Sequence, residues 1–136
     1  SLPNISRVLT FKLEGNDKLP EVSWRPSVIF NPPELKASPE PIALGFVTYQ
    51  DVCMGCHGLN AVSGLLIPDL RGSAYLWDEK SWAAVVLDGQ LKDRGMAAFA
   101  DNITAEQAEA IRSYVIQQAQ RGQALRQEAE ANTAVE

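Results

Sequence analysis

The chain has 136 residues, of which 46% are hydrophobic and 21% charged, so it can bury one modest core. Its two cysteines, one histidine and two methionines exclude a disulfide-rich scaffold and a structural zinc site built from four Cys or His ligands. The net charge of −5, with no Lys/Arg-rich run and no apolar stretch long enough to cross a bilayer, argues against nucleic acid as a partner and against a transmembrane segment.

Residues 1–15 are predicted to contain a β-strand, because Leu9, Phe11 and Leu13 alternate with polar residues. The rest of the sequence offers this strand no pairing partner. Its sheet therefore belongs to something outside this chain, or the strand folds back on the domain. The first residues lack an initiator Met and the layout of a signal peptide, which indicates a mature or excised chain.

Residues 16–41 hold six of the eight prolines and are predicted to form an extended linker of polyproline character. Trp24, Val28, Ile29 and Phe30 are too apolar for a freely solvated tether. We therefore expect the linker to lie along a surface.

Residues 42–122 are predicted to form one mostly α domain. A first helix starts near residue 42 and runs into Val52, with a small residue and aromatics on one face. That face consists of Ile42, Gly45, Phe46 and Tyr49. Residues 77–88 suggest a second short helix, which Gly89 ends.

The last predicted helix has the strongest sequence signals for its start and for its buried face. Thr104 is its predicted N-cap, Gln107 completes a capping box, and Ile103 occupies the staple position. Its apolar stripe consists of Ala108, Ile111, Tyr114 and Val115. Gly122 is the predicted stop, and residues 123–136 are predicted to form a polar, frayed helical tail.

The segment Cys53-Met54-Gly55-Cys56-His57 has the C-x-x-C-H spacing of a c-type haem attachment site. On a helical turn, positions i, i+3 and i+4 share a face. Two thiols can therefore reach the two vinyl groups of one porphyrin while the imidazole binds its iron. The motif predicts one covalently bound haem c with His57 as an axial ligand.

Two other interpretations of this motif are weaker. A thioredoxin-like Cys-x-x-Cys needs a βαβ context, whereas this motif follows a helical stretch. A zinc site could recruit carboxylates, but nothing is spaced to complete the three ligands at Cys53, Cys56 and His57.

Met96 is the candidate for the second axial position. His57 is the only histidine, and Met54 is held inside the covalent loop on the wrong side of the ring. Gly95 and neighbouring small residues let the backbone approach the haem closely. The alternatives are a core methionine that fills a gap, Lys92 as the ligand, or an open position. A thioether ligand favours ferrous iron and raises the reduction potential, which suits one-electron transfer rather than catalysis.

A metal-bound imidazole needs an acceptor for its other ring N–H, and the Pro68 carbonyl is our candidate, against a plain turn proline. Arg71 suits pairing with a haem propionate, although a solvated surface arginine is nearly as good an interpretation. Tyr75, Trp77 and Trp82 are expected to wall the pocket, with core packing as the alternative for each.

The motifs resemble a class I cytochrome c over residues 42–121. The matching residues are Gly45, Tyr49, Cys53, Cys56, His57, Gly58, Pro68, Asp69, Leu70, Gly95, Met96 and Tyr114. The resemblance implies roughly three to five helices around the covalently bound haem. It also implies that Gly45 lets the first helix approach Tyr114 closely. The expected haem pocket comprises Pro68, Leu70, Arg71, Tyr75, Trp77, Trp82, Arg94 and Phe99.

A narrower resemblance covers nearly the whole chain. Val8–Gly15 looks like the closing propeller strand of pyrroloquinoline-quinone (PQQ)-dependent alcohol dehydrogenases, and the Pro-rich stretch looks like the linker of their quinohaemoprotein type. Residues 68–71, 94–96 and 104–115 are similar to that type's cytochrome domain. The resemblance implies that electrons from alcohol oxidation pass from the PQQ propeller domain to this haem, in the bacterial periplasm. An external acceptor follows, such as a small redox protein or a quinone-linked chain.

The PQQ, calcium and catalytic residues of such a parent enzyme lie outside this chain, which is therefore expected to transfer electrons and not to be an enzyme itself. Residues 40–122 carry ten acidic and six basic side chains, which favours a partner with a basic or apolar docking face. The alternatives are a free-standing periplasmic cytochrome c, a cytochrome domain of another dehydrogenase, and a haem sensor with a weak or missing Met96 bond.

Overall fold

A computed structural model of the chain describes residues 12–16, 18, 30–64 and 67–133. The four α-helices are α1 (Pro39–Val52), α2 (Met54–His57), α3 (Glu79–Val86) and α4 (Ala105–Thr133). Short 3₁₀ turns lie between them at Leu59–Ala61, Leu70–Gly72, Ala74–Trp77 and Lys92–Arg94. Within these described residues there is no strand, and the predicted mostly α fold class is confirmed.

The predicted N-terminal strand falls mainly on residues 1–11, which lie outside the described residues. The structure describes only its end, where the chain turns. Leu13 and Glu14 form a turn closed by a 3.0 Å hydrogen bond from the Gly15 N–H to the Lys12 carbonyl. Glu14 has a left-handed φ of 66°, which no continuous strand accommodates.

Helix α1 begins at Pro39, three residues before the predicted start near residue 42. Proline is tolerated there because the first N–H groups of a helix have no intrahelical partner. The helix crosses α4 at Gly45, where an added Cβ would overlap the carbonyl of Ala110. The close approach that was expected at Tyr114 is therefore at Ala110.

Two aromatic side chains of α1 cover Tyr114 instead. The ring centroids of Phe46 and Tyr49 lie 5.5 Å and 5.2 Å from that of Tyr114. Offset and edge-to-face ring pairs at such distances are favourable. The crossing of α1 and α4 thus combines a glycine contact with an aromatic cluster.

Helix α4 begins with the predicted capping box. The Thr104 N–H donates to Gln107 Oε1 at 2.8 Å, and the Gln107 N–H donates to Thr104 Oγ1 at 3.2 Å. The predicted stop at Gly122 is wrong, because the helix runs on to Thr133. Gly122 is instead a packing glycine, since an added Cβ would lie 2.9 Å from the ring of Phe30.

The core lies where α1, α3 and α4 meet. The indole N–H of Trp82 in α3 donates a 2.8 Å hydrogen bond to the Ala108 carbonyl of α4. The largest fully buried side chains are Tyr49, Leu76, Ile111 and Val115. Among the described helices, none combines the length and the apolar character needed to cross a membrane.

Residues 30–38, here called the strap, lie against the helical domain. The Trp77 indole N–H donates to the Asn31 carbonyl at 3.1 Å, and the Gln120 amide donates to the Pro33 carbonyl at 3.1 Å. This part of the linker therefore follows a surface, as its apolar residues predict. Trp24, Val28 and Ile29 fall outside the described residues.

Candidate functional site

The C-x-x-C-H motif forms one helical turn immediately after α1. Cys53 caps the end of α1 and the start of α2. Its carbonyl accepts hydrogen bonds from the N–H groups of Cys56 at 3.2 Å and His57 at 2.9 Å. Both thiols are free; Cys53 is buried and Cys56 is exposed. The structure thus brings the two thiols and the imidazole together on one turn.

The His57 side chain is buried and held by a single oriented contact. Its Nδ1 lies 3.1 Å from the Pro68 carbonyl oxygen. Because a carbonyl oxygen only accepts, Nδ1 carries the proton, which in a neutral imidazole leaves the lone pair on Nε2. This is the orientation that a metal-ligating histidine requires.

Tyr49 supports the same turn from α1. Its hydroxyl donates a 2.7 Å hydrogen bond to the Gly58 carbonyl, directly after His57. Gly58 has a φ of 73°, and an added Cβ would overlap the Val62 carbonyl. Burial raises the pKa of Tyr49 above its usual value, so the hydroxyl stays protonated and donates. The sequence pattern identified Tyr49 as an apolar-face residue and did not reveal this hydrogen bond.

The electrostatics of Cys53 distinguish the motif from a redox disulfide site. Burial, together with the nearby Cys56, raises the pKa of the Cys53 thiol to about 12. Thioredoxin-like thiols depend on a lowered pKa. Among the described residues, no group of three or more His, Cys, Asp or Glu side chains is placed to hold a metal ion.

Met96 lies on a loop that is pinned to α3. The Phe99 N–H donates to the Val86 carbonyl at 2.9 Å, and the Met96 N–H donates to the Leu91 carbonyl at 3.2 Å. Gly95 precedes it with a left-handed φ of 93° and open space around its α-carbon. Met96 is half-buried and packs against the core, whereas Lys92 is exposed.

The other predicted pocket residues divide into an inner and an outer group. Leu70 is buried, Tyr75 and Phe99 are half-buried against the core, and Trp82 is buried against α4. Pro68 and Arg94 are exposed.

Trp77 belongs to the strap side of the molecule. It is 58% exposed and its indole is bound to the strap. It lines a cavity of about 980 Å³ together with strap residues and the first turns of α4. No residue of the attachment turn lines that cavity.

Arg71 has a different partner from both of those expected. Its Nε and Nη2 donate to the Asp69 carboxylate at 2.9 Å and 2.7 Å, and its side chain is 18% exposed. The solvated-arginine interpretation is therefore wrong. Pairing with a propionate stays a prediction. The missed pairing had a sequence signal in the Asp69-x-Arg71 spacing of a polar turn.

The donor set fits a covalently bound haem. Two thiols that form no disulfide with each other, a buried imidazole with Nδ1 already bonded, and a half-buried thioether are the groups that such a haem needs. The residues that could hold it are Cys53, Cys56, His57 and Met96.

Comparison with known proteins agrees with this chemistry. A family model described as cytochrome c oxidase, cbb3-type, subunit III, matches residues 40–115. Quinohemoprotein alcohol dehydrogenase ADH IIB of Pseudomonas putida is 38% identical over 116 residues, covering 85% of this chain and 17% of that protein. Cytochrome c550 of Pseudomonas aeruginosa is 34% identical over 95 residues, covering 68% of this chain and 65% of that protein.

A solved structure of a second alcohol dehydrogenase is also similar to this chain. That of quinohemoprotein alcohol dehydrogenase ADHIIG from Pseudomonas putida HK5 matches with a TM-score of 0.61 and 37% identity, covering 80% of this chain and 16% of that one. The chain spans about one sixth of the length of these alcohol dehydrogenases. It therefore belongs to the cytochrome c family, as a haem c electron-transfer domain of the type found in quinohaemoprotein alcohol dehydrogenases.

Proposed function

We propose that this chain transfers single electrons through one haem c that is attached to Cys53 and Cys56 and ligated by His57 and Met96. The observation that carries the proposal is the attachment turn itself, where both thiols and a pre-oriented imidazole meet. When bound, haem c supplies a one-electron iron couple.

The chain's own residues would orient the ligands and tune the iron. The Pro68 carbonyl holds the imidazole in one tautomer and makes it a stronger electron donor. The Met96 thioether, a soft ligand, would hold the iron together with His57 and would favour its reduced state. With both ligands supplied by side chains, the iron would transfer electrons and would offer no place for a substrate.

The proposed electron donor is the PQQ propeller domain of a quinohaemoprotein alcohol dehydrogenase, and the proposed acceptor is an external one, either a small redox protein or a quinone-linked chain. Similarity to alcohol dehydrogenases of that type supports the donor. The acidic balance of residues 40–122 favours an acceptor with a basic or apolar face. The proposed compartment is the bacterial periplasm, where those PQQ enzymes are expected to act.

A free-standing cytochrome c is the second candidate. Its support is the similarity to cytochrome c550 over 68% of this chain and the packing of the strap on the helical domain. Reduction of the purified chain by a PQQ dehydrogenase lacking its own cytochrome would favour the first candidate. Failure of that reduction, with rapid reduction by a small redox protein, would favour the second.

Spectroscopy of the holoprotein tests the site. We expect haem to remain bound after denaturation, a near-infrared band from the methionine–ferric iron bond, and no rapid binding of carbon monoxide. Cys53→Ala and Cys56→Ala should each leave one thioether. Ready carbon monoxide binding without the near-infrared band would contradict the His57/Met96 assignment and support a haem sensor.

A further inference from the structure

The strap contacts the helical domain next to the segment that holds His57. The ring of Phe30 stacks on the Arg71 guanidinium, 4.9 Å from ring centroid to Cζ. Gly122 makes room for this pair, since an added Cβ would lie 2.9 Å from the ring and 3.2 Å from Arg71 Nη1. Cation–π stacking of this kind stabilises most where the pair is shielded from water.

Arg71 in turn fixes Asp69. The Asp69 carboxylate accepts three hydrogen bonds from Arg71, from the backbone N–H at 3.0 Å, Nε at 2.9 Å and Nη2 at 2.7 Å. The Asp69 side chain is only 5% exposed. A bidentate guanidinium–carboxylate pair has a fixed geometry, so the backbone at Asp69 is held together with its side chain.

The Pro68 carbonyl belongs to the peptide bond that joins Pro68 to Asp69. Because that peptide unit is planar, holding Asp69 also orients the carbonyl oxygen. The same oxygen accepts the hydrogen bond from His57 Nδ1 at 3.1 Å. A continuous series of contacts thus runs from Phe30 of the strap, through Arg71 and Asp69, to the imidazole.

We infer that Phe30 and Arg71 are positioning residues for His57, so that docking of the strap tunes the reduction potential of the haem. This inference rests on the proposed function, because it requires His57 to ligate the iron. A firmly held Pro68 carbonyl makes the imidazole a stronger donor, which stabilises ferric iron and lowers the potential. Loosening the strap therefore raises the reduction potential.

The test uses holoprotein variants that leave the net charge unchanged, because removing a charge would itself shift the potential. Phe30→Leu removes the ring, and Arg71→Lys removes the bidentate pairing and the flat stacking surface. The matched control, Arg126→Lys, alters an exposed arginine–glutamate pair with Glu130 in the last turns of α4.

Two measurements are made on each variant: the midpoint potential, and the exchange rate of the His57 Nδ1 proton by NMR of the ferrous protein. Phe30→Leu and Arg71→Lys should raise the potential and accelerate exchange roughly fivefold or more, as expected when one hydrogen bond is weakened. Arg126→Lys should change neither. Reduced stability with unchanged potential and exchange would overturn the inference, because the cluster would then only anchor the strap.

The wild-type holoprotein separates this result from failure of the proposed function. Absence of a covalent haem or of His57 ligation in that protein would overturn the proposed function. A normally ligated wild type whose Phe30→Leu and Arg71→Lys variants keep the wild-type potential would overturn only the positioning role.

Discussion

Gly45 of α1 lies directly against the backbone of Ala110 in α4, so closely that no side chain fits between the helices. The contact lies one helical turn before Tyr49 in α1 and one turn before Tyr114 in α4, whose rings lie 5.2 Å apart. Because Tyr49 also bonds to Gly58 at the end of the attachment turn, this crossing positions the site as well as the core.

Gly45→Ala should destabilise the holoprotein by about 3 kcal/mol or more, because an added methyl group would force the two backbones apart. Denaturant unfolding measures the loss. Gly64→Ala is the matched control, since an added Cβ there meets no atom of the described residues within 4 Å. We expect that variant to stay within about 0.5 kcal/mol of the wild type. Equal stabilities of the two variants would contradict the close crossing.

Tyr49→Phe should cost about 1 kcal/mol at neutral pH, because the Gly58 carbonyl loses its donor. Burial raises the pKa of Tyr49, so the folded state disfavours the ionised ring. The stability supplied by the neutral hydroxyl is therefore present below the ordinary tyrosine pKa of about 10 and is lost as the pH rises from there towards the folded-state value. Denaturant unfolding at pH 7 to 11 should show that the difference in the free energy of unfolding between wild type and variant decreases at alkaline pH. A difference that stays constant across this range would contradict the raised pKa of Tyr49.

Thr104→Ala should destabilise the domain by about 1 kcal/mol, because α4 loses the side-chain acceptor of its capping box. Thr104→Ser keeps the hydroxyl and should recover most of the difference. Thermal unfolding followed by far-UV circular dichroism compares the variants. A serine variant as unstable as the alanine variant would show that the hydroxyl does not cap the helix.

Met96→Ala should lower the reduction potential by on the order of 0.1 V, a fraction of the range of about 0.8 V that axial ligands span. Loss of the thioether removes the ligand that favours ferrous iron. Redox titration of the holoprotein measures the change. Met54→Leu removes the other methionine and should leave the potential near that of the wild type. An unchanged potential in Met96→Ala would count against Met96 as a ligand.

Local patterns predicted those features that are built from neighbouring residues. The attachment turn is contiguous from Cys53 to His57, and the capping box of Thr104 and Gln107 spans one turn. Their geometry follows from backbone spacing alone. The Pro68 contact to His57 was predicted from chemistry, because a ligating imidazole needs an acceptor for its second N–H.

Long-range contacts were not predictable in the same way. The sequence pattern predicts a helix stop at Gly122. Glycine also serves where a side chain packs closely against the backbone, and here that side chain is Phe30, far away in the sequence. The sequence predicts either solvent or a haem propionate around the Arg71 guanidinium. No residue close to Arg71 in the sequence indicates that it stacks on Phe30. The indole N–H of Trp77 donates to the backbone carbonyl of Asn31. Because every residue type offers a backbone carbonyl, the sequence does not indicate which residue accepts this hydrogen bond.

The strap is held largely through its main chain. Trp77 and Gln120 both donate to carbonyl oxygens, those of Asn31 and Pro33, while Phe30 and Leu35 contribute side-chain contacts. Most strap positions are therefore interchangeable in residue type, but the segment is intolerant of a shift in register. Inserting or deleting one residue between Phe30 and Pro33 would misalign the ring contact and the two backbone acceptors relative to one another, whereas replacing the side chain of Asn31 would leave these anchors in place.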